Sequence, residues 1–478
     1  MHQPIDRRAF LQAGAVAAIL GGLDSQSGMA ASGASPATYQ EPAREVPIAE
    51  QADVVVCGAG PAGVAAAIAA ARLGAKTRLL EVNGCLGGVW TAGLLTWLLD
   101  ADKPGVMQEI LAGLQARGAS MQYGRPNVHP GYNIAYDTEP MKLLLEEMCL
   151  EAGVKMQLHT RVVAAVRGDA NRLTLALTES KSGRQAWAGK VFVDASGDGD
   201  LAAQAGCQFD YGREGSGQLQ PMSVIALLVG LKVDEVTPFV CGMGERKGAP
   251  HPKQRLLDEM RRAGVAPSYA QPTLFCIRDG LFCLMANHEY GVSATDAAAI
   301  TEATLRGRAE VHKLVDALRA LGGIWKNVKI VVTPEHIGVR EGRRVHGLAR
   351  VTKDDLLAGT RYDDAVCRVT FPVDVHSTDP KKEKGIMREG VRAKPYEIPY
   401  RALIARDVNG LLMAGRNISG DFLAHSSYRV TGNAVAMGEA AGAAAAIAAK
   451  SGRLPQDVPW SEIRQVIEKN RKPCESKS

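Results

Sequence analysis

The sequence predicts an α/β protein in which a parallel-sheet domain is split along the chain by an inserted α+β domain. Three observations lead there. A β-rich run, Asp53-Val54-Val55-Val56-Cys57, passes into the turn Gly58-Ala59-Gly60-Pro61-Ala62-Gly63 and an alanine-rich helix to about Leu73. A second apolar run, Thr77 to Leu80, then closes on an acidic residue, Glu81. The same strand-and-helix rhythm returns at Asn409 to Arg416 and from about Asn433 to Lys450, after a middle stretch that lacks it.

The elements follow in order. Residues 1–30 hold the pair Arg7-Arg8, a mildly apolar run from Ala13 to Leu23, and small residues through Ala30, the pattern of a twin-arginine export signal. A periplasmic location is therefore expected. The apolar run is well short of the roughly 20 residues a bilayer span needs, so no permanent membrane anchor is expected. Residues 31–50, with Pro36, Pro42 and Pro47, read as a linker. Residues 51–214 form the first part of the sheet domain. Within them Glu139 to Ala152 has helical periodicity through Met141, Leu144, Leu145 and Met148, and Val154 to Val166 reads as a strand and its continuation. A further strand, Lys190 to Val193, runs into Asp194-Ala195-Ser196-Gly197-Asp198-Gly199-Asp200. Residues 215–396 mix short strand candidates (Ser223 to Leu228, Val328 to Val332, Ala365 to Val373) with helices such as Asp296 to Leu321, as expected of a separate substrate-facing domain. Residues 397–450 close the sheet domain, and residues 451–478 form a peripheral tail with a short charged helix.

Composition narrows the function. The 56 basic and 51 acidic residues are spread along the chain, so no nucleic-acid surface is expected. Nine cysteines, an odd number without a CxxC pair, suit neither a disulfide framework nor a zinc site, and no metal is expected. HExxH, GxSxG and Walker patterns are absent.

The glycine turn carries chemistry. Gly58 lets the chain turn sharply, Gly60 lets backbone approach a pyrophosphate, and Gly63 lets helix pack on strand, as in a Rossmann-type domain. Pro61 and Ala62 open the helix, whose N-terminus favours negative charge. Glu81 stands where a carboxylate can accept both hydroxyls of an adenosine ribose and repel a 2′-phosphate. Gly87-Gly88, with Thr91 nearby, offers a second set of backbone donors. Cys85 has no second cysteine four residues on, so a thiol-disulfide role is not expected. One complete fingerprint is present, which leaves no evident second domain for NAD(P)H.

Taken together, Asp53 to Gly93, Asp194 to Gly206, Arg340 to Val345, Val373 to His376 and Asn409 to Ala443 resemble the broad family of FAD-dependent oxidoreductases with glutathione-reductase-type FAD domains. The likeness runs from residue 52 to 450. It implies FAD held at its pyrophosphate by Gly58, Gly60 and Gly63 and at its adenosine ribose by Glu81, with Gly88 and Thr91 against the phosphates or ribityl chain. Val162 would meet adenine through its backbone. Ser196, Gly197 and Asp198 match the family's Ala-Thr-Gly-Asp turn, with Ser for Thr, and Gly415 and Arg416 would lie beside the ribityl chain. The helix after Thr431-Gly432-Asn433 would point its N-terminus at flavin N1 and the C2 carbonyl, stabilising the reduced anion. Its Gly438, Ala440, Ala441, Gly442 and Ala443 suit close approach to the cofactor and equally a core helix.

Proton handling supplies the candidate catalytic residues. His425 lies between the ribityl turn and the flavin-facing helix. Asp374 and His376, at i and i+2 on a strand, leave by one face and form either an orienting pair or an ordinary exposed one. Arg340, Arg343 and Arg344 cluster around Gly342, where a guanidinium can clamp a carboxylate or serve as an ion-paired structural residue; Arg343 is the candidate taken from the three, and Arg429 is a further one. The expected activity is a dehydrogenase that passes a hydride from a small organic substrate to flavin N5 and the electrons to a quinone, an electron-transfer protein or oxygen. A reductase running the other way, a non-catalytic flavin-binding module and an NAD-dependent dehydrogenase are the alternatives. The sequence specifies no oligomeric state.

Overall fold

The computed structural model describes residues 38–122, 134–387 and 389–471. The export-signal pattern lies outside them. Residues 38–45 carry neither helix nor strand and belong to a separate unit; the described residues from Val46 on make up one compact body.

The main sheet takes β1 (Ile48–Cys57), β2 (Thr77–Leu80), β3 (Lys155–Gln157), β4 (Arg161–Arg167), β5 (Leu173–Ser180) and β6 (Gly183–Asp194). Strands β7 (Ile225–Val229), β8 (Thr273–Arg278), β9 (Leu281–Met285) and β10 (Lys329–Val332) build a second sheet, and β11 (Leu411–Met413) returns to the first. The last four residues of β1 are buried, as suits a parallel strand covered on both faces. Parallel pairing runs β3-β2-β1-β6, in register Cys57↔Leu80 and Cys57↔Asp194. The antiparallel pair β4-β5 adds to the N-terminal half of β6, which frees its C-terminal end to pair with β11 at Met413↔Asp194. The carboxyl ends of β1, β2, β6 and β11 are thereby brought side by side, the place where open α/β sheets bind ligands.

Two helices cover one region of this sheet: α1 (Pro61–Arg72), which begins at the glycine turn, and, after α2 (Ala297–Ala320) of the insertion, α3 (Thr431–Ser451). They touch backbone to backbone. A Cβ at Gly438 would run into the Ala62 carbonyl, and one at Gly442 into that of Ala66. The small residues of α3 are thus spent on α1.

The insertion has its own core, built from Met222 to Ile337 and joined by Trp97 and Ala135 from the first part of the chain; Trp97 stacks on Phe275 at 4.3 Å. The antiparallel order is β8-β9-β7-β10. Helix α2 lays Ala303, Gly307, Val311, Leu314, Val315 and Leu318 inward at helical spacing, and Asp296 caps its first turn by accepting from the Ala298 and Ala299 amides.

Three expectations change. Val345 to Phe371 pack in the first core, so the part of the chain with an independent core is shorter than residues 215–396. The tail helix Trp460–Asn470 is anchored by Ile463 and Ile467 in that same core instead of being peripheral. Val154 to Val166 is two strands on opposite sides of the sheet, broken at His159, whose backbone is left-handed with φ +53°.

Candidate active site

At the end of β1 each fingerprint glycine answers a separate contact. Gly58 has φ +97°, and a Cβ there would meet the Ala195 carbonyl oxygen at 2.5 Å. A Cβ at Gly63 would strike the Gly58 carbonyl. At Gly60 a Cβ would find nothing within 4 Å, so the space over the start of α1 is open. No side chain caps that helix end, and its unpaired N–H groups are left to a ligand.

Glu81, 4 % exposed, is anchored by three donors: the Ala59 amide at 2.6 Å, and the backbone and side-chain nitrogens of Asn83 at 2.8 and 2.7 Å. Burial pushes its carboxyl above the usual range, against the pull of those donors. Asp194, to which sequence reasoning gave no role, ties the neighbouring turn together. Its Oδ1 accepts from the Ser196 amide and hydroxyl at 3.0 and 2.7 Å, and its Oδ2 from the Ala202 amide at 2.8 Å. Its position at the end of β6, ahead of Ser-Gly-Asp-Gly, was the signal.

A cleft of about 520 Å³ runs from this end of the sheet, within the roughly 300–1,000 Å³ of small-molecule sites. Among its walls are Gly58, Gly60, Pro61, Ala62, Glu81, Gly88, Val162, Ser196, Gly197, Asp198, Gly415 and Arg416, together with Arg343, Arg429 and Thr431. The insertion adds Thr295, Ala297 and Thr301 from the start of α2, and His336 and Val339. Sequence reasoning missed these five because nothing local marks them.

Other predicted residues shape the frame. The Gly87 amide donates to the Ala59 carbonyl at 2.7 Å, and Thr91, 1 % exposed, donates its hydroxyl to the Leu86 carbonyl at 2.5 Å. A Cβ at Gly432 would strike the Asp100 carbonyl. The Cys85 thiol rests on Thr91 Oγ1 at 3.6 Å, and burial holds its pKa up. Asp198 accepts from Arg416 Nη2 at 2.7 Å, and Arg343 donates to the Asp198 carbonyl and to Asp200, both at 2.9 Å.

Toward α3, buried polar atoms without partners collect: Arg416 Nε, Thr431 Oγ1, both amide atoms of Asn433, and both ring nitrogens of His425. Folded proteins rarely leave such atoms unsatisfied. The N-terminus of α3 also has no side-chain cap. Donors and acceptors of this kind fit the polar edge of a flavin. His425 itself has no exposed surface; burial, then the charges of Arg344 and Arg429, drive its pKa far down.

Asp374, His376 and Arg429 come together. Asp374 Oδ2 lies 3.3 Å from His376 Nε2, and Arg429 donates to the Asp374 carbonyl at 2.8 Å. The chain continues through His376 Nδ1 to His288 Nε2 at 3.0 Å and from His288 Nδ1 to the Tyr290 hydroxyl at 3.1 Å. Burial lowers the pKa of His376 to about 4, with Arg340 next in effect, and that of His288 further still. Beside these cations and His376, and despite burial, Asp374 is held well below the usual carboxylate range. Asp374 keeps 25 % of its side-chain surface accessible, whereas His376 keeps 7 %.

An open helix N-terminus, an anchored carboxylate at the second strand and unsatisfied donors at the far end define a dinucleotide-binding redox protein. The chain belongs to the FAD-dependent oxidoreductase family, whose model it matches over residues 53–467, and FAD is its cofactor. No curated protein sequence matches it. Solved structures similar to it include a geranylgeranyl bacteriochlorophyll reductase-like protein from Thermoplasma acidophilum, at 12% identity over 88% of this chain and 82% of that one, TM-score 0.43. The myxobacterial chondrochloren halogenase CndH is 13% identical over 88% and 79%, TM-score 0.43, and the flavin-dependent brominase Bmp2 13% over 88% and 83%, TM-score 0.44. These likenesses are distant, and the reaction proposed below rests on the site's own geometry.

Proposed function

We propose that the protein is a dehydrogenase for a small organic substrate, with an FAD domain of glutathione-reductase type, passing its electrons to a quinone, an electron-transfer protein or oxygen. One observation carries the reading: the cleft that begins at the glycine turn reaches Arg429, and Arg429 is bonded to Asp374, which pairs with His376. Bound FAD supplies the two-electron centre that accepts a hydride. Glu81 and the start of α1 would hold its adenosine and pyrophosphate, and Arg416, Thr431 and Asn433 its flavin end.

The chain's own groups handle the proton. Asp374 is ionised and His376 neutral at working pH, so the pair can take the proton released when an alcohol or amine carbon is oxidised. His288 and Tyr290 extend the pair by hydrogen bonds of 3.0 and 3.1 Å, a path along which that proton leaves. The fingerprint's single occurrence and the Arg7-Arg8 segment motivate an acceptor other than NAD(P)H and export to the periplasm.

The holoenzyme, screened anaerobically with alcohols, amines and hydroxy acids, should bleach near 450 nm with one class. His376→Asn should keep its FAD and slow that bleaching by about 10²–10⁴-fold. In the parent enzyme the acid limb of the rate should fall near pH 4, not at the 6.5 of a free histidine. Bleaching at the parent rate in the variant, or fast NADPH oxidation by the parent, defeats the proposal.

A further inference from the structure

Three arginines surround Gly342, and the structure gives them different fates. Arg344 is buried and fully engaged, with Nη1 on Glu341 at 2.8 Å, Nη2 on the Gly212 carbonyl at 2.8 Å and Nε on the Gly420 carbonyl at 3.1 Å. Arg343 has Asp200 and the Asp198 carbonyl, and lies over the Phe209 ring. Arg340 has no carboxylate within hydrogen-bond reach among the described residues. Its Nη1 donates to two neutral oxygens, the Pro221 carbonyl at 2.7 Å and Ser223 Oγ at 2.8 Å. Its Nη2 donates to the Met285 thioether at 4.0 Å, a weak partner.

A second guanidinium stands beside it. Arg429 donates to the backbone carbonyls of Arg340 and Asp374 at 3.1 and 2.8 Å, while its distance to the Asp374 carboxylate is 3.9 Å. The two cations repel each other, and burial together with Arg429 takes the Arg340 pKa down to about 10, still charged. The charges here are Arg340, Arg344 and Arg429 against Asp374 and Glu341, with His288 and His376 neutral. Glu214, half exposed, adds a third carboxylate: it reaches Arg344 at 3.5 Å and Arg350 at 3.2 Å, and Arg350 also has Asp210 at 2.8 Å. Arg340 is thus the member of the three without a carboxylate within 4 Å among the described residues, although largely desolvated charges are normally paired.

We infer that the substrate carries a carboxylate, and that Arg340, with Arg429 beside it, receives this carboxylate and so sets the carbon to be oxidised next to Asp374 and His376. The inference rests on the dehydrogenase reading and narrows it. A guanidinium offers two parallel N–H groups to a carboxylate, and Arg340 has its Nη2 edge unspent. Sequence alone favoured Arg343 among the three around Gly342; the differing partners single out Arg340 instead.

The test uses the oxidised holoenzyme and four probes: benzoate, succinate, benzamide and succinamide. Binding is read from perturbation of the flavin spectrum and from the rise in Tm. At least one acid should bind at concentrations where its amide does not. Arg340→Gln should weaken acid binding by about 30-fold or more with flavin content unchanged, and Arg340→Lys should restore part of it. Equal binding of acid and amide overturns the inference, as does undiminished acid binding in Arg340→Gln. If the variant binds acids normally and instead shows a lowered flavin potential, the charge serves the reduced cofactor and the inference is overturned. Should Arg340→Gln not fold, the acid-against-amide comparison in the parent protein decides. A chain that purifies without FAD defeats the redox reading itself; a yellow protein indifferent to carboxylates defeats this inference alone.

Discussion

In the reading proposed, Glu81 serves the protein and its cofactor with one carboxylate. Its oxygens take the Ala59 amide and both Asn83 nitrogens, which fixes the carboxylate on the cleft wall before any ribose arrives. A hydrogen bond to a charged group contributes roughly 1.5–3 kcal/mol. Glu81→Ala should therefore weaken FAD binding by about 10–100-fold, measured by reconstituting apoprotein and following flavin fluorescence, and an unchanged affinity would show that the ribose lies elsewhere. This residue was legible in the sequence because its meaning is local: the end of a second strand after a glycine turn. The Asp374–His376 spacing was legible for the same reason. His288 was not, because its contact with His376 spans 88 residues and no local pattern reports it. Arg343, not Arg340, was the sequence's choice among the three, and only the lack of a carboxylate partner distinguishes Arg340. In a non-catalytic module Asp374, His376, His425 and Arg429 would face solvent and not converge on the flavin; here Asp374, His376 and Arg429 lie together and His425 is fully buried.

At the level of elements, the fingerprint helix is held in place by the helix that closes the chain's second visit to the sheet. The glycines of α3 recur at i and i+4, so they share one face, and that face lies on the α1 backbone at Ala62 and Ala66. The obstacle at each is a carbonyl, which cannot rotate away as a side chain can. Gly442→Ala should therefore destabilise the protein by about 1–3 kcal/mol, seen as a lower denaturation midpoint. Because α1 carries the open N-terminus, FAD affinity should fall with it. A variant with the parent's midpoint would mean the two helices pack less closely than described. The small-residue face was plain in the sequence, yet the sequence could not say whether cofactor or helix filled it, since both demand the same residues. The division of Val154 to Val166 into β3 and β4 was hidden for a different reason. The break is His159 in a left-handed conformation, a place usually marked by glycine; the accommodating glycine is Gly84, where a Cβ would meet the His159 ring at 2.8 Å.

Across the whole molecule, stability should depend on pH through a carboxylate far along α3 from the cleft. Glu439 is 9 % exposed and borders a separate cavity of about 400 Å³ between α3 and the tail helix. Gly105 makes room for it, since a Cβ there would strike the carboxylate. The charged groups around it are Arg471 and Arg72, which favour its ionisation, and Glu109, which opposes it; Arg72 is itself engaged by Glu109 at 2.7 Å. Burial outweighs them and raises the Glu439 pKa to about 7, above the 4.5 of a free glutamate. The folded chain thus holds a proton between those values that the unfolded chain has released. Stability is fully present below pH 4.5 with respect to this group and is lost as pH rises through about 7, by up to about 3 kcal/mol. Glu439→Gln removes the ionisation, so the variant should exceed the parent in stability at pH 8 and lose that advantage toward pH 5. Urea denaturation of both proteins at the two pH values, with FAD saturating so that cofactor binding contributes equally, measures the difference. An equal effect of the substitution at both pH values would mean that Glu439 ionises without cost, and that water or a cation reaches it through the cavity.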